Sequence, residues 1–304
     1  MTTKKCMLVV SVVLLYSCQA SQKADIDYNT SVSAPFYTSN SPQVLFDEAH
    51  FNLHTTQGTF KPFVTLITHD GCKVTPNLAP FTADLLDQYS LLIIANAKGG
   101  LHDDKAADAF TDKECKSVSD WVKKGGALLL ITDHHPFGMA AQKLAAAFGV
   151  QMGGGTVNDS ANFDKTQLWK DQLEFTKTNK LLAAHPINKG LNRVVTFTGQ
   201  SLKGDSLAKP ILRLGSTATE ARPDSIWEAD GLTYTRFADP VSVVGWSQAL
   251  SIDYGAGRVV MLGEAACLSA QVDEKGEKFG MNVPGNDNRQ FILNIIHWLT
   301  NKAK

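Results

Sequence analysis

The sequence predicts a doubly wound α/β domain whose mostly parallel sheet is covered by helices on both faces. Three observations carry the prediction. Strand-like segments such as "LLII" at 91–94 and "ALLLI" at 127–131 are continuously apolar instead of alternating. They alternate with segments of helical periodicity. Polar and ionisable residues collect just after the strands, not before them.

The elements follow in order. "QVLF" at 43–46 is a short strand running into "DEAH". "TFKPFVTLITHDG" has helical spacing, and "CKVTP" returns as a second strand. "YSLLIIANAKGG" is a third strand ending at Asn96. "TDKECKSVSDWVKKGG" is a helix whose Thr111 and Glu114 make a capping box and whose Gly125-Gly126 pair ends it. "ALLLIT" is a fourth strand, followed after two histidines by a helix with Pro136 near its first turn. Residues 151–240 read as an insertion or sheet extension with antiparallel strands, Gly153-Gly154-Gly155 as a flexible loop. "SIDYGAGRVVMLGEAA" reads as a hairpin delivering the last core strand, with Glu264 at its end. "NRQFILNIIHWLTNK" closes the chain as a packed helix.

The N-terminus makes a separate case. "MTTKK" is basic, "MLVVSVVLLYS" is apolar but shorter than a bilayer-spanning helix needs, and Cys18 follows directly. Residues 1–17 are expected to be a signal peptide. Leu15-Tyr16-Ser17-Cys18 resembles the bacterial lipobox, in which the cysteine carries the lipid. That resemblance implies a lipoprotein of the cell envelope, and Gln19 points towards the outer membrane. An ordinary secretory signal is the alternative. Residues 18–41 are polar and aperiodic and are expected to be a flexible tether, with the folded domain spanning 42–304.

Composition narrows the function. The chain has 304 residues, 43% hydrophobic and 19% charged, with a net charge of −1; this gives no electrostatic footprint for nucleic acid. Beyond Cys6 and Cys18, the remaining Cys72, Cys115 and Cys267 are odd in number and widely spaced, so no disulfide framework follows.

In a parallel sheet, residues after the strands converge on one rim, where such folds bind ligands. The rim set is Asp47, Glu48 and His50 after the first strand, Asn96 after the third, and Asp133, His134 and His135 after the fourth. Glu264 follows the last strand, and Asn288 and Arg289 open the final helix. Two chemistries fit. A divalent metal would take His50, His134 or His135 with a carboxylate. Hydrolysis would use His134 or His50 as base, oriented by Asp47, Asp133 or Glu264, with Arg289 as an anion anchor. Plainer roles stand beside these: Asp133 as a helix cap, the histidines as a satisfied pair, Arg289 in an ion pair with Glu264.

The phrases "VLFDEAHFNLHT", "LLIIANAKGG", "FTDKECKSVSDWVKKGGALLLITDHHPFG", "GAGRVVMLGEAACLSA" and "NDNRQFILNIIHWL" together resemble the class I glutamine amidotransferase-like superfamily. The nearest branch is a bacterial lipoprotein group related to ThuA-like, gliding-motility and intraflagellar-transport GIFT domains. The resemblance covers roughly 43–302 and implies a flavodoxin-like three-layer sandwich. It does not imply glutamine hydrolysis, because the strand that ends "LLLIT" is followed by Asp133-His134-His135 and no cysteine nucleophile. Relatives of this kind imply a small polar ligand, with saccharides as one class. The expectation is an envelope lipoprotein with a ligand site at the rim and hydrolysis as an option; the alternative is a non-catalytic scaffold at the membrane surface.

Overall fold

The computed structural model describes residues 22–100, 108–165, 172–229 and 232–301. The expected signal and the lipid attachment at Cys18 lie outside the described residues. The chain begins with a two-residue strand β1 (Lys23–Ala24), then β2 (Gln43–Asp47), α1 (Lys61–His69), β3 (Lys73–Asn77) and the short α2 (Ala83–Leu86). It continues through β4 (Leu91–Ala95), α3 (Asp112–Lys123), β5 (Ala127–Ile131), α4 (Phe137–Ala146) and β6 (Val150–Met152). Later strands, named here by residue, precede a closing helix α5 (Asn288–Thr300).

β3, β2, β4, β5 and the strand Gly257–Leu262 lie side by side and parallel. In order of appearance these five run 2-1-3-4-5, which is compatible with a flavodoxin-like fold and places the topological switch beside β2. The sheet then continues antiparallel. Ser247–Tyr254 hairpins back on Gly257–Leu262, followed by Leu202–Gly204 and β6, while Ala208–Arg213 also pairs with Ser247–Tyr254. Of the two expectations for 151–240, insertion or antiparallel sheet extension, Leu202–Gly204 and Ala208–Arg213 follow the second.

The apolar runs are explained by burial on both faces. Leu92, Ile94, Leu128 and Leu130 pack with Val118 and Val122 of α3 and Leu144 of α4. Ile93, Leu129 and Phe46 point the other way, onto Phe63 and Leu66 of α1 and Phe291 and Ile295 of α5. Each such side chain contributes about 1.5–3 kcal/mol of burial, and strict alternation of polar residues would forfeit half of it. The α3 capping box forms as expected. Glu114 N donates to Thr111 Oγ1 at 3.2 Å, and Thr111 N donates to Glu114 Oε2 at 3.0 Å.

Two expectations are corrected by packing. The glycine run 153–155 is buried, not a flexible loop, and wraps the Glu220 carboxylate. A Cβ on Gly153 would stand 2.1 Å from Glu220 Oε2 and one on Gly155 2.1 Å from Ala221 O, so only glycine permits this approach. The supposed tether is bound to the domain from residue 22 onward. β1 pairs with Ala270–Val272, Asp70 Oδ1 accepts from Phe36 N, and Phe36 stacks on His297 at 4.0 Å. Arg289, expected at the rim, instead donates from Nη1 to Asn29 O at 2.7 Å and from Nη2 to Ser31 O.

Replacing Arg289 by Ala removes both donors to this segment. Amide hydrogen exchange over residues 25–37 is expected to accelerate while protection of β4 and β5 stays unchanged; unaltered exchange at 25–37 would show that Arg289 does not hold the segment down.

Candidate functional site

The expected rim forms, but its residues divide into two groups that share no hydrogen bond. The first centres on His50. Its Nδ1 lies 2.9 Å from both oxygens of Asp47 and its Nε2 lies 2.9 Å from Glu114 Oε1. Carboxylate oxygens only accept, so each ring nitrogen carries a proton and the ring is an imidazolium held between two anions. Burial works against that charge, but the bonds and charges of Asp47 and Glu114 outweigh it and raise the His50 pKa. Phe81 and Phe110 flank the ring, each with its centroid 4.8 Å away.

The two carboxylates are saturated as well. Asp47 accepts from Asn52 Nδ2 at 3.0 Å and Asn77 Nδ2 at 3.3 Å. Glu114 accepts from Phe81 N and from Thr111 N and Oγ1; although burial opposes ionisation, these bonds and His50 take its pKa down to about 2. No lone pair of His50 is left for a metal or a substrate proton. The roles of base, metal ligand and orienting pair foreseen for His50 and Asp47 give way to a buried ionic junction. Glu48 is likewise occupied locally, accepting from Thr56 N at 2.7 Å.

The second group sits where β4, β5 and Gly257–Leu262 end in register, at Ala95, Ile131 and Leu262. Just beyond lie Asn96, Asp133 and Glu264. Glu264 is 1% exposed and takes Ala266 N and Cys267 N on its two oxygens at 2.7 and 2.8 Å. Asp133, 8% exposed, takes His134 N at 2.8 Å and the Thr198 hydroxyl at 3.5 Å. Burial and the facing Asp133 charge push the Glu264 carboxyl up to about 8; burial also raises Asp133. Asp133 does not cap α4, whose N-cap is Pro136 with no side-chain bond.

Asn96 is 1% exposed, its backbone lies in the left-handed region at φ 47°, and its amide oxygen has no hydrogen-bond partner. The amide nevertheless acts on the neighbouring Asp133 carboxyl, favouring its charged form. His134 donates from Nδ1 to its neighbour's carbonyl, His135 O, at 2.9 Å, so in the neutral ring Nε2 is the free acceptor. That Nε2 stands 3.9 Å from Asp133 Oδ1, on a side chain 35% exposed. His135 keeps a buried Nδ1 without a partner and meets the Phe237 ring edge to face at 6.5 Å.

Asn288 is structural: its amide donates to Val195 O and Cys267 O and accepts from Val195 N. Among the described residues, no group of three or more His, Cys, Asp or Glu side chains could hold a metal ion. Sequence reasoning missed several participants. Glu114 was visible only as a cap, and nothing local pairs it with His50. Gln200 braces the rim by donating to Thr132 Oγ1 and Asp133 O, both at 2.9 Å, while accepting from Gly154 N. Phe237 arrives from the exposed hairpin of Pro223–Ala229 with Leu232–Phe237.

No protein-family profile matches the chain, and no curated protein matches it either. Among solved structures, the mmIFT52 N-terminal domain superposes with a TM-score of 0.62 over 86% of this chain and 99% of that chain, at 15% identity. A ThuA-like protein from Parabacteroides merdae gives 0.46 over 86% and 90%, at 13% identity. Another, from Bacteroides uniformis, gives 0.44 over 89% and 96%, also at 13%. The mmIFT52 likeness is one of fold. ThuA-like proteins, of class I glutamine amidotransferase-like fold, are among the structural neighbours.

Replacing His50 by Ala strands two buried carboxylates, and chemical denaturation is expected to show a loss of about 3–5 kcal/mol; a loss under about 1 kcal/mol, the surface range, would remove the junction from the stabilising interactions. Glu264 gives a pH signature. Its folded pKa of about 8 exceeds its ordinary value of 4.5, so its stabilising contribution is complete below that ordinary value and disappears as pH rises through about 8. Melting temperatures of Glu264→Gln against the parent, followed across this interval, are expected to converge or cross in the variant's favour as pH rises. A constant gap would rule the shift out.

Proposed function

We propose that the rim formed by Asn96, Asp133, His134, His135 and Glu264 binds a small polar ligand. The observation that carries this reading is Asn96. Its buried amide oxygen, left without a partner, costs about 1–3 kcal/mol, and left-handed backbone at a non-glycine residue adds strain. A ligand donor placed there would satisfy the amide oxygen. We read the protein as an envelope lipoprotein anchored through Cys18, with a flavodoxin-like three-layer sandwich of the amidotransferase-like superfamily that lacks the cysteine nucleophile. Saccharides are the first ligand class to try.

Hydrolysis is the second reading, favoured by His134. A His134 whose Nε2 is free and only 3.9 Å from Asp133 could draw a proton from a bound water, with the Glu264 carboxyl, pushed up to about 8, as the proton donor to a leaving group. A scaffold role draws support from the exposed Ile226, Trp227 and Phe237 of the 223–237 hairpin.

A thermal-shift screen of neutral mono- and disaccharides against the protein and its Asn96→Ala variant tests the binding reading. Compounds that raise the melting temperature of the parent are expected to lose that effect in the variant. Hits that stabilise both equally would move the site away from the rim.

A further inference from the structure

Among the described residues, two sets of buried carboxyls stand at the strand ends, Asp47 with Glu114 and Asp133 with Glu264, and their surroundings differ. Between Asp47 and Glu114 stands a cation, His50, hydrogen-bonded to both at 2.9 Å. Between Asp133 and Glu264 there is none among the described residues: no described Lys or Arg forms an ion pair with either, and the described His134 stands 3.9 Å from Asp133, partly exposed. Glu264 is held in place by two backbone N–H groups, which orient it without cancelling its charge.

The surroundings of the second pair suit a nitrogen cation. The amide oxygen of Asn96 is buried, unpartnered and beside Asp133, so it can accept a hydrogen bond from a donor placed there. An ammonium supplies three donors and no acceptor, and it interacts favourably with aromatic faces such as that of Phe237, which packs on His135. An anionic ligand would meet two carboxyls. A metal ion would lack the three side-chain ligands of a site, which are not assembled among the described residues.

We infer that the ligand of this rim carries an ammonium group, which takes beside Asp133 and Glu264 the place that His50 takes between Asp47 and Glu114. The inference rests on the rim-binding reading and narrows it to amine-bearing compounds. The carboxyl pair is then the recognition element for the amine, Asn96 reads an adjoining N–H, and Phe237 flanks the apolar remainder of the ligand.

Benzylammonium and its neutral near-isostere benzyl alcohol separate charge recognition from apolar contact. At pH 7 and matched ionic strength, benzylammonium is expected to raise the melting temperature saturably and benzyl alcohol to leave it unchanged. In Asp133→Asn, each measurement being referred to the variant's own baseline, the apparent Kd should weaken about tenfold or more. Phe237→Ala should weaken it by a smaller factor, and Asn96→Ala should also reduce it. Equal effects of amine and alcohol, no effect of the amine, or an amine response retained in Asp133→Asn would each overturn the inference. Failure of the amine while a saccharide hit remains dependent on Asn96 would leave the rim site standing and remove only its charge preference. If no compound of either screen depends on Asn96, both readings fall together.

Discussion

A protonated imidazole buried between two carboxylates is the constraint around which the parallel half is arranged. His50 joins the end of β2 to the first turn of α3, 64 residues further along the chain. Glu114 meets it while closing the capping box, so a local helix-start signal and a long-range ion pair share one side chain. Asn52 extends the junction by donating to both Asp47 Oδ2 and the carbonyl of Ala95 at the end of β4. Leu53 N then donates to Asn96 O, so the backbone that carries the unpartnered amide oxygen is tied to the same junction. Burying these charges is costly in isolation, and full hydrogen bonding of every member is what offsets the cost.

This junction also explains why neighbouring strand ends behave differently. At β2 the polar side chains are satisfied within the protein and sealed by two aromatic rings. At β4, β5 and Gly257–Leu262 they are aligned by register but incompletely paired: two carboxyls are buried beside one another with no described Lys or Arg paired to either, the Asn96 amide oxygen has no partner, and His134 Nε2 stops 3.9 Å short of Asp133. Rigid positioning by one group and unmet demand in the next are what a ligand site on a fixed scaffold requires.

Much of this was legible from the chain because the relevant signals are local. Continuous apolar runs named the doubly covered strands, and Thr111 with Glu114 and Gly125 bounded α3. Polar residues following strands located the rim. What escaped were pairings between distant residues of ordinary type. His50 and Glu114, Arg289 and the carbonyls near residue 30, and Gln200 and Thr132 have no spacing that announces them. The segment from residue 22 looked like a tether because it has no periodicity of its own; it is ordered by groups belonging to α1, α5 and Ala270–Val272. The glycine run looked mobile for a similar reason, since the carboxylate that it encloses comes 65 residues later.

Gln200 has a further consequence for where the molecule can be divided. Its amide nitrogen donates to Thr132 and Asp133, just beyond β5, and its oxygen receives the glycine run, so one side chain belongs at once to the parallel half and to the antiparallel region. Thr198, two residues before it, reaches the Asp133 carboxyl from the same side. A chain trimmed to its alternating strands and helices would keep Asp133 yet leave the Thr132 hydroxyl and the Asp133 carbonyl without their donor. The 151–240 stretch is thus no detachable ornament: the seam between the two halves runs through the rim itself.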